Sequence, residues 1–371
     1  MRPAVIVATF GALLGLTGCP GRTLDRPPNP DGRGGGNGNG VAGDARAVLS
    51  IACGDFHSCA IMADRTVRCW GRNKSGELGD GTDADQSRPT PVRGLTDVAE
   101  LALGANFSCA RLTDKTVKCW GSGRLLGDAR MVDHVPPTPV PNVGDVMQLR
   151  AGGYVVCALR GGGEVTCWGS DQPTTGAPRP SIDVSVAGAH ACARTSDGAA
   201  RCWGEGIWGA PVGKESFSNP GVARARLLAT GDSFACVGVD EGKVQCWGRN
   251  DEGELGQQPD ADDHPAASVV PNVSGARQLV AAESHVCVIT DAGAVLCWGA
   301  NDEGELGRGT RTIGEQPGPV PNLSARSIAL GADHGCAIDT DGHVVCWGNN
   351  RNGQLGDGTN ERRGAPTAVA F

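Results

Sequence analysis

The stretch CAIMADRTVRCWG, from Cys59 to Gly71, holds two cysteines ten residues apart and ends in Cys-Trp-Gly. Cys-Trp-Gly occurs seven times in the chain, and each time another cysteine lies ten residues before its cysteine. A unit repeated seven times therefore organises the sequence. The pairs are Cys59 and Cys69, Cys109 and Cys119, Cys157 and Cys167, Cys192 and Cys202, Cys236 and Cys246, Cys287 and Cys297, and Cys336 and Cys346.

This spacing predicts an antiparallel hairpin in which paired cysteines lie opposite each other across a three-residue loop. The commonest loop of this length ends in a left-handed residue, where glycine is favoured because it has no Cβ. Facing cysteines predict seven disulfides, each contributing about 2 to 3 kcal/mol by closing a short loop. The alternative, metal binding by thiolates, needs C-x₂₋₄-C clusters, and the sequence has none. The third loop residues are Gly163, Gly198, Gly242, Gly293 and Gly342 in five units, and Arg65 and Lys115 in the other two.

The tryptophan after each second cysteine is predicted to point away from the disulfide, because side chains alternate between the faces of a strand. A side chain of this size in every unit is expected to fill the space between stacked sheets. The alternative is a row of ligand-stacking tryptophans, which agrees less well with the usual burial of such large apolar area.

Composition favours short strands joined by turns. The chain of 371 residues has 58 glycines, 23 prolines and only 4% aromatic residues. It shows no sustained helical periodicity, so the predicted class is all-β. Lysine and arginine are scattered and the net charge is −8, which argues against nucleic-acid binding.

The N-terminus predicts export. Arg2 precedes an apolar stretch, Ala4 to Leu16, that is too short to span a bilayer, and LTGC ends this stretch at Cys19. The ending resembles the lipobox of bacterial lipoproteins, which implies a signal peptide over residues 1–18 and lipidation of Cys19. Pro20 stands where an inner-membrane retention aspartate would stand. The implied location is the bacterial outer membrane or cell surface.

Residues 19–44 are rich in glycine and proline and poor in apolar side chains. They are therefore predicted to form a flexible tether, with the lipid as the only membrane contact. The repeats occupy residues 45–371, about 46 residues each, and repeats of this length commonly fuse into one domain.

Two further features recur after the hairpin. The motif N-x-x-G-x-L-G begins at Asn73, Asn250, Asn301 and Asn350, and a proline-rich strand such as RPTPV at 88–92 follows it. Together with the cysteine pairs and Cys-Trp-Gly, these features resemble the regulator of chromosome condensation repeat family. The resemblance covers all seven units and implies a seven-bladed β-propeller.

The two ends of the repeat region are predicted to meet in one blade. The first unit has no proline-rich strand before it, whereas APTAVAF at 365–371 matches that strand and has no unit after it. The C-terminal strand is therefore expected to complete the first blade, which would remove an exposed sheet edge.

Four histidines share one repeat position and could suggest a metal ring. Phe107, Val155 and Phe234 hold the same position in the other blades. The favoured interpretation is therefore packing, with each imidazole bonded to local backbone, and no metal site is predicted. The histidines are His57, His190, His285 and His334.

Other motifs give no catalytic centre. DGTDAD at 80–85 offers carboxylates but lacks the spacing of a calcium loop. GELGDG at 76–81 is expected to serve tight turns, because no helix follows it. The unpaired Cys53 is expected to be a small buried residue. No G-x-S-x-G, HExxH or Walker-type loop occurs, so neither a catalytic residue nor a cofactor is predicted.

The sequence thus predicts a monomeric, non-catalytic, lipid-anchored propeller that acts as a protein-interaction or scaffold module. Its unknown protein partner is expected on variable rim loops at 80–87, 128–135, 257–267 and 308–316. The family resemblance leaves two alternatives. One is inhibition of an envelope or secreted enzyme, since a bacterial propeller of similar type inhibits β-lactamases. The other is guanine-nucleotide exchange, which the founding eukaryotic member promotes on a nuclear GTPase; export from the cytosol makes this the weaker alternative.

Overall fold

The described residues form an all-β fold in which strands are joined by turns, among them the short 3₁₀ turn Asp240–Gly242. Among them, no helix is long and apolar enough to cross a membrane. The predicted signal peptide, Cys19 and the whole predicted tether, 19–44, lie outside the described residues. The computed structural model describes residues 47–123, 133, 135–169, 177–188, 190–204, 221–222 and 224–371.

Blades 1 and 2 are antiparallel sheets of four strands, each built from consecutive strands of the chain. Blade 1 contains β1 (Val48–Cys53), β2 (His57–Met62), β3 (Val67–Gly71) and β4 (Gln86–Pro91). Blade 2 contains β5 (Val98–Leu103), β6 (Phe107–Leu112), β7 (Val117–Gly121) and β8 (Val135–Pro139).

In blades 3 and 4 the described residues supply three strands each. Blade 3 contains β9 (Val146–Gly152), β10 (Val155–Arg160) and β11 (Val165–Gly169). Blade 4 contains β12 (Ser181–Ala187), β13 (His190–Thr195) and β14 (Ala200–Gly204). These are the units in which the sequence lacks most of N-x-x-G-x-L-G.

Blades 5 to 7 again have four strands each. Blade 5 contains β15 (Leu227–Thr230), β16 (Phe234–Gly238), β17 (Val244–Asn250) and β18 (Asp260–Val269). Blades 6 and 7 share the long strand β22 (Glu315–Leu330), whose first half pairs with β21 and whose second half pairs with β23. The remaining strands are β19 (Ala276–Ala282), β20 (His285–Thr290) and β21 (Ala294–Gly299) in blade 6, and β23 (His334–Asp339), β24 (Val344–Gly348) and β25 (Arg363–Ala368) in blade 7.

The first strand of every blade lies innermost. Inner strands of consecutive blades are neighbours, and the inner half of β22 lies beside β1, which closes the ring of seven. These strands surround a central channel with a cavity of about 500 Å³. The seven-bladed propeller predicted from the repeats is therefore the observed fold.

The predicted sharing of a strand between the two chain ends is wrong. The C-terminal strand β25 pairs with β24 of blade 7, where Val345 faces Ala368. Blade 1 already has its fourth strand, because β4 follows β3 in the chain and pairs with it. The proline-rich strand thus ends the blade of the hairpin before it, and every four-stranded blade is contiguous in sequence.

The ring closes instead through side chains between blades 7 and 1. The Trp70 indole N–H donates to the Gln354 carbonyl oxygen at 2.9 Å. Trp70 also lies edge-to-face on Phe371, with ring centroids 5.8 Å apart. Leu355, Val369 and Trp70 belong to one apolar cluster that spans this seam.

Every predicted cysteine pair lies in register across its hairpin, and the structure forms all seven disulfides. The paired Cα atoms are 3.9 to 4.2 Å apart. The prediction of a left-handed third loop residue is confirmed in all seven turns, including Arg65 at φ 62° and Lys115 at φ 68°. Two bulkier residues thus adopt the conformation that glycine supplies in the other five.

Blades stack by placing each disulfide against a tryptophan. All seven tryptophans of Cys-Trp-Gly are buried. Each of the seven core clusters combines the disulfide of one blade with the tryptophan of the next, as Cys59 and Cys69 pack with Trp120. Neighbouring residues on a strand point to opposite faces. The cysteine of Cys-Trp therefore packs against the next blade, and the tryptophan packs against the preceding blade.

Strand direction defines two faces of the ring. The turn face carries the hairpin turns between second and third strands, such as 63–65, and the beginnings of the inner strands. The loop face carries the ends of the inner strands, such as Cys53, and the connections from third to fourth strands, such as 72–85.

Candidate functional site

The N-x-x-G-x-L-G motif on the loop face builds a buried hydrogen-bonded loop. Asn350 is fully buried; its Oδ1 accepts the Leu355 amide at 3.0 Å, and its Nδ2 donates to Thr359 O at 3.1 Å and Glu361 O at 3.0 Å. Equivalent asparagine-to-leucine bonds hold the other three complete motifs. The asparagine is therefore a structural hub and not a ligand-binding residue.

The same motif ties neighbouring blades together. The residue before its leucine offers a carbonyl to the tryptophan of the next blade, as Glu77 does to Trp120 at 2.8 Å and Glu305 to Trp347 at 2.6 Å. The side chain at this position accepts a backbone amide two residues earlier. Burial raises the pKa of the Glu254 and Glu305 carboxyls to about 7, while blade 7 has the neutral Gln354.

The four histidines lie deep in the blades, where burial lowers the pKa of His57 and His334 to about 3 and of His190 and His285 to about 4. His57 Nε2 lies 2.8 Å from Ser108 Oγ of the next blade. His334 Nε2 makes the same contact with Ser58 across the seam. For these two histidines the expected backbone partner was wrong, because the ring reaches a serine of the neighbouring blade.

Two groups of potential metal ligands occur among the described residues. The first joins Cys53 and His334 with Cys336, whose sulfur is committed to a disulfide. The second, Asp339, Asp341 and His343, surrounds an exposed hairpin turn. Burial also raises the pKa of the Cys53 thiol to about 12, so it remains protonated.

The predicted rim loops differ in structure. Asp80, in loop 80–87, accepts from Thr82 N and Asn73 Nδ2, which directs its Oδ1 into the loop. Residues 257–267 are mostly strand, because β18 begins at Asp260 and pairs with β17 through bulges. Loop 308–316 leads into β22. Most of loop 128–135 lies outside the described residues.

The channel wall is held by side chains that bridge inner strands. Glu100 accepts the Leu149 amide at 3.0 Å and forms an ion pair with Arg150 at 2.6 Å. Gln278 repeats the arrangement one half-turn around the ring, since it donates to Ile328 O and accepts from Ile328 N. Within the described ranges, inner strands of neighbouring blades do not pair through backbone hydrogen bonds. These side-chain amides and carboxylates connect them instead.

Carboxylates from four blades meet at the loop-face mouth of the channel. They are Asp55, Asp232, Glu283 and Asp333, here named the acidic mouth. Burial, followed by repulsion from Asp232 and Asp333, raises the pKa of Asp55 to about 7. Burial and then the charges of Asp55 and Asp232 raise the pKa of Glu283 to about 7. Such repulsion shows that the four groups share one electrostatic environment.

Few cations offset this charge. Arg72 lowers the pKa of Asp55, but its Nη1 donates to Asn106 Oδ1 at 2.8 Å. Arg351 lies near Asp333 and pairs with Glu303 at 2.7 Å. Sequence reasoning missed the acidic mouth because its members occupy two adjacent repeat positions in blades far apart along the chain.

Two sequence profiles, both described as the regulator of chromosome condensation (RCC1) repeat, match the chain. One matches residues 48–77, 98–125, 226–254, 277–305 and 325–354, and the other matches 66–111, 292–338 and 341–371. Together they cover more than half of the sequence. The chain belongs to the RCC1 repeat family. The longest unmatched stretch, residues 126–225, contains blades 3 and 4, where the RCC1 motif is shortened.

Curated relatives match the chain over one short segment each. The human probable E3 ubiquitin-protein ligase HERC4 is 43% identical over 49 residues, which is 13% of this chain and 5% of HERC4. Human HERC2 is 44% identical over 48 residues, 13% of this chain and 1% of HERC2. The matched segments thus span only a small fraction of these curated relatives.

Solved structures are similar over most of the chain. Prp20p of Saccharomyces cerevisiae, described together with its binding to Gsp1p and histones, is 21% identical with a TM-score of 0.70 over 88% of both chains. The ectodomain of the Physcomitrella patens receptor kinase CR4 is 22% identical with a TM-score of 0.57, over 81% of this chain and 74% of that one. At this identity the similarity establishes the propeller fold alone.

Proposed function

We propose that this protein is a non-catalytic, lipid-anchored interaction module of a bacterial envelope, and that it binds a basic protein surface at the loop face. The observation that carries the proposal is the acidic mouth, where four blades contribute carboxylates around the open end of the channel. A rigid ring of disulfide-bonded blades presents these groups without a cost of ordering them on binding.

The chemistry of the acidic mouth favours a cationic partner. A lysine or arginine placed among the four carboxylates would lower their mutual repulsion and their pKa values. Variable connections such as 80–87 and 308–316 lie on the same face, where they can add specific contacts. The binding of Prp20p to Gsp1p and histones supports protein binding as a use of this fold.

The lipid anchor and the envelope location rest on the LTGC sequence ending at Cys19. Lipidation would hold the propeller at a membrane surface through the segment at 19–44. The Cys19→Ala variant is expected to lose incorporation of a labelled fatty acid and to leave the membrane fraction. Unchanged labelling of that variant would exclude this part of the proposal.

Affinity capture from envelope extract tests the interaction. The Asp55→Asn/Glu283→Gln variant should lose partners retained by the native protein, whereas Asp64→Asn, a matched neutralisation on the turn face, should keep them. Capture should weaken at pH 5.5 compared with pH 8, because the carboxyls of Asp55 and Glu283 become protonated below their raised pKa values. Equal capture by both variants would contradict binding at the acidic mouth.

A further inference from the structure

A β-bulge recurs at one position of the inner strands, at the turn-face mouth of the channel. In six inner strands two consecutive residues oppose one residue of the second strand, as Leu49 and Ser50 oppose Ile61. In blade 5, Arg226 occupies the same position, and both it and Leu227 meet Gly238. Bulges redirect a side chain out of the alternation of a strand.

The redirected residues divide the mouth into two arcs. Blades 1 to 4 supply apolar side chains, and Leu49, Met147 and Ile182 are 50, 51 and 47% exposed. These three belong to the few large apolar residues that are exposed in the described part of the chain. Blades 5 to 7 supply exposed arginines. In ring order the residues are Leu49, Ala99, Met147, Ile182, Arg226, Arg277 and Arg326, here named the bulge ring.

Two of the arginines lack an acidic partner among the described residues. Arg326 donates to Val48 O at 2.9 Å, and Arg277 donates to backbone carbonyls including Ala325 O at 2.7 Å. Arg226 pairs with Asp240 at 2.7 Å. Carbonyl bonds hold the guanidinium groups in place but leave their positive charge uncompensated, and a carboxylate is the group that complements such a site.

The outer part of the same face has the opposite charge. The middle residue of the hairpin turn is acidic and exposed in five blades. A wide anionic surface, such as a phospholipid bilayer, would face the negative charges of this acidic rim as well as the arginines. A narrow ligand would pass inside the rim. The turn residues are Asp64, Asp114, Asp197, Glu241 and Asp341.

From this arrangement we propose that the bulge ring is a second binding site, which takes a peptide segment that carries carboxylates beside large apolar side chains. The carboxylates meet Arg277 and Arg326, and the apolar side chains cover Leu49, Met147 and Ile182. The site lies on the face opposite the acidic mouth, so it extends the proposed interaction function to a second partner of opposite charge.

The test begins with a displayed library of random peptides selected on the intact protein. Selected peptides should be enriched in Asp or Glu together with Leu, Ile or Phe. A synthetic peptide of the enriched sequence is then measured by fluorescence polarisation. The Arg277→Ala/Arg326→Ala variant and the Leu49→Ser/Met147→Ser variant should each weaken its binding by about tenfold.

Matched controls separate the bulge ring from other surfaces. Arg311→Ala removes an exposed arginine of the loop face, and Val269→Ser removes an apolar residue of β18 that is 52% exposed. Both should bind the peptide as the native protein does. Circular dichroism and disulfide mapping check that each variant is folded. Asp55→Asn, which tests the acidic mouth, should also leave peptide binding unchanged.

Several outcomes would overturn the bulge-ring proposal. One is enrichment of basic or purely polar peptides. Another is equal enrichment on the native protein and on a variant that combines the arginine and the apolar substitutions. A third is loss of peptide binding in the control variants. Sedimentation with phosphatidylglycerol vesicles, without binding of the selected peptide, would assign the face to a membrane instead. Failure of the acidic-mouth experiment would leave these results unaffected, because its variants lie on the opposite face.

Discussion

At the scale of single residues, buried polar side chains set the geometry of the loop face. Asn350 makes no contact that a ligand could use, since its amide serves Leu355, Thr359 and Glu361 within one loop. The repeated asparagine therefore replaces secondary structure in a segment that forms neither helix nor strand. Removal of this asparagine is expected to lower the stability of the fold, because the buried backbone amide of the leucine then has no hydrogen-bond acceptor.

The Asn350→Ala variant is expected to lower the free energy of unfolding by about 1 to 3 kcal/mol, since the Leu355 amide loses its acceptor in a buried loop. Urea denaturation under non-reducing conditions measures this. Asn352→Ala in the same loop is the control, because the Asn352 side chain forms no hydrogen bond within the described part of the chain. An equal loss in both variants would contradict the role assigned to Asn350.

Glu305→Gln is expected to stabilise the protein at high pH. The pKa of Glu305 is raised by burial from 4.5 to about 7, so the folded state favours the protonated carboxyl, and stability falls as pH rises through 7. The variant should be more stable by about 2 kcal/mol at pH 8 and unchanged at pH 4. Gln354 shows that an amide fits this position.

Urea unfolding at the two pH values tests the Glu305→Gln prediction. Glu361→Gln, whose side chain is 80% exposed, serves as the control and should show no such difference. A stabilisation that is the same at pH 4 and pH 8 would mean that ionisation of Glu305 is not its cause.

At the scale of elements, the disulfide-bonded hairpin of the second and third strands is the unit of the fold. Its turn fixes the register, its disulfide packs on the next blade, and its tryptophan packs on the blade before. The cross-link closes a short loop, so its contribution is a modest restriction of the unfolded chain. The turn and the packing can therefore hold the hairpin without it.

Replacement of Cys287 and Cys297 by alanine is expected to cost about 2 to 4 kcal/mol and to leave the fold intact, because the loop entropy and some packing against Trp347 are lost. Thermal unfolding with circular dichroism measures the change. Cys53→Ala is the control without a disulfide and should have a smaller effect. Complete unfolding of the double variant would show that turn and packing do not suffice.

Hairpin register could be predicted from the sequence because a spacing of ten and a terminal glycine leave one geometry. The hairpins with Arg65 and Lys115 have the same register. The cysteine spacing therefore predicts the register even in the two hairpins whose turn has no glycine. The bulges could not be predicted, since Leu49 and Arg326 differ in everything except their pairing with a neighbouring strand. The acidic mouth requires ring closure, which alone brings Asp55 near Asp232. The prediction for β25 was wrong because the proline-rich strand was assigned to the blade that follows it, whereas it belongs to the blade of the hairpin before it.

At the scale of the whole molecule, the ring closes without a shared strand. Blade 7 meets blade 1 through Trp70 and Leu355, as a tryptophan and a motif leucine join other blades, and Phe371 adds an edge-to-face contact at this seam. Strand direction places both ends of the repeat region on the turn face, where each fourth strand passes to the next blade. The position of the chain ends is therefore not essential to the architecture.

A circular permutant tests this equivalence of blades. Joining Phe371 to Ala47 with a short linker and opening the chain between Arg93 and Gly94 should preserve the seven disulfides and a melting temperature within about 5 °C of the native value. A second permutant, opened at Asp64 inside a hairpin turn, is the control and should have a lower melting temperature. A permutant that fails to fold would indicate that the seam between blades 7 and 1 needs the native ends.

The entry of the chain at its innermost strand determines how the ring bears mechanical load. Tension applied through residues before Val48 would act along β1 and strain its hydrogen bonds to β2 together, in shear. The nearest cross-link joins Cys59 to Cys69 and leaves β1 outside its covalent loop. Under force, β1 would therefore detach first, next to the channel, while the disulfide-bonded hairpins behind it remained closed.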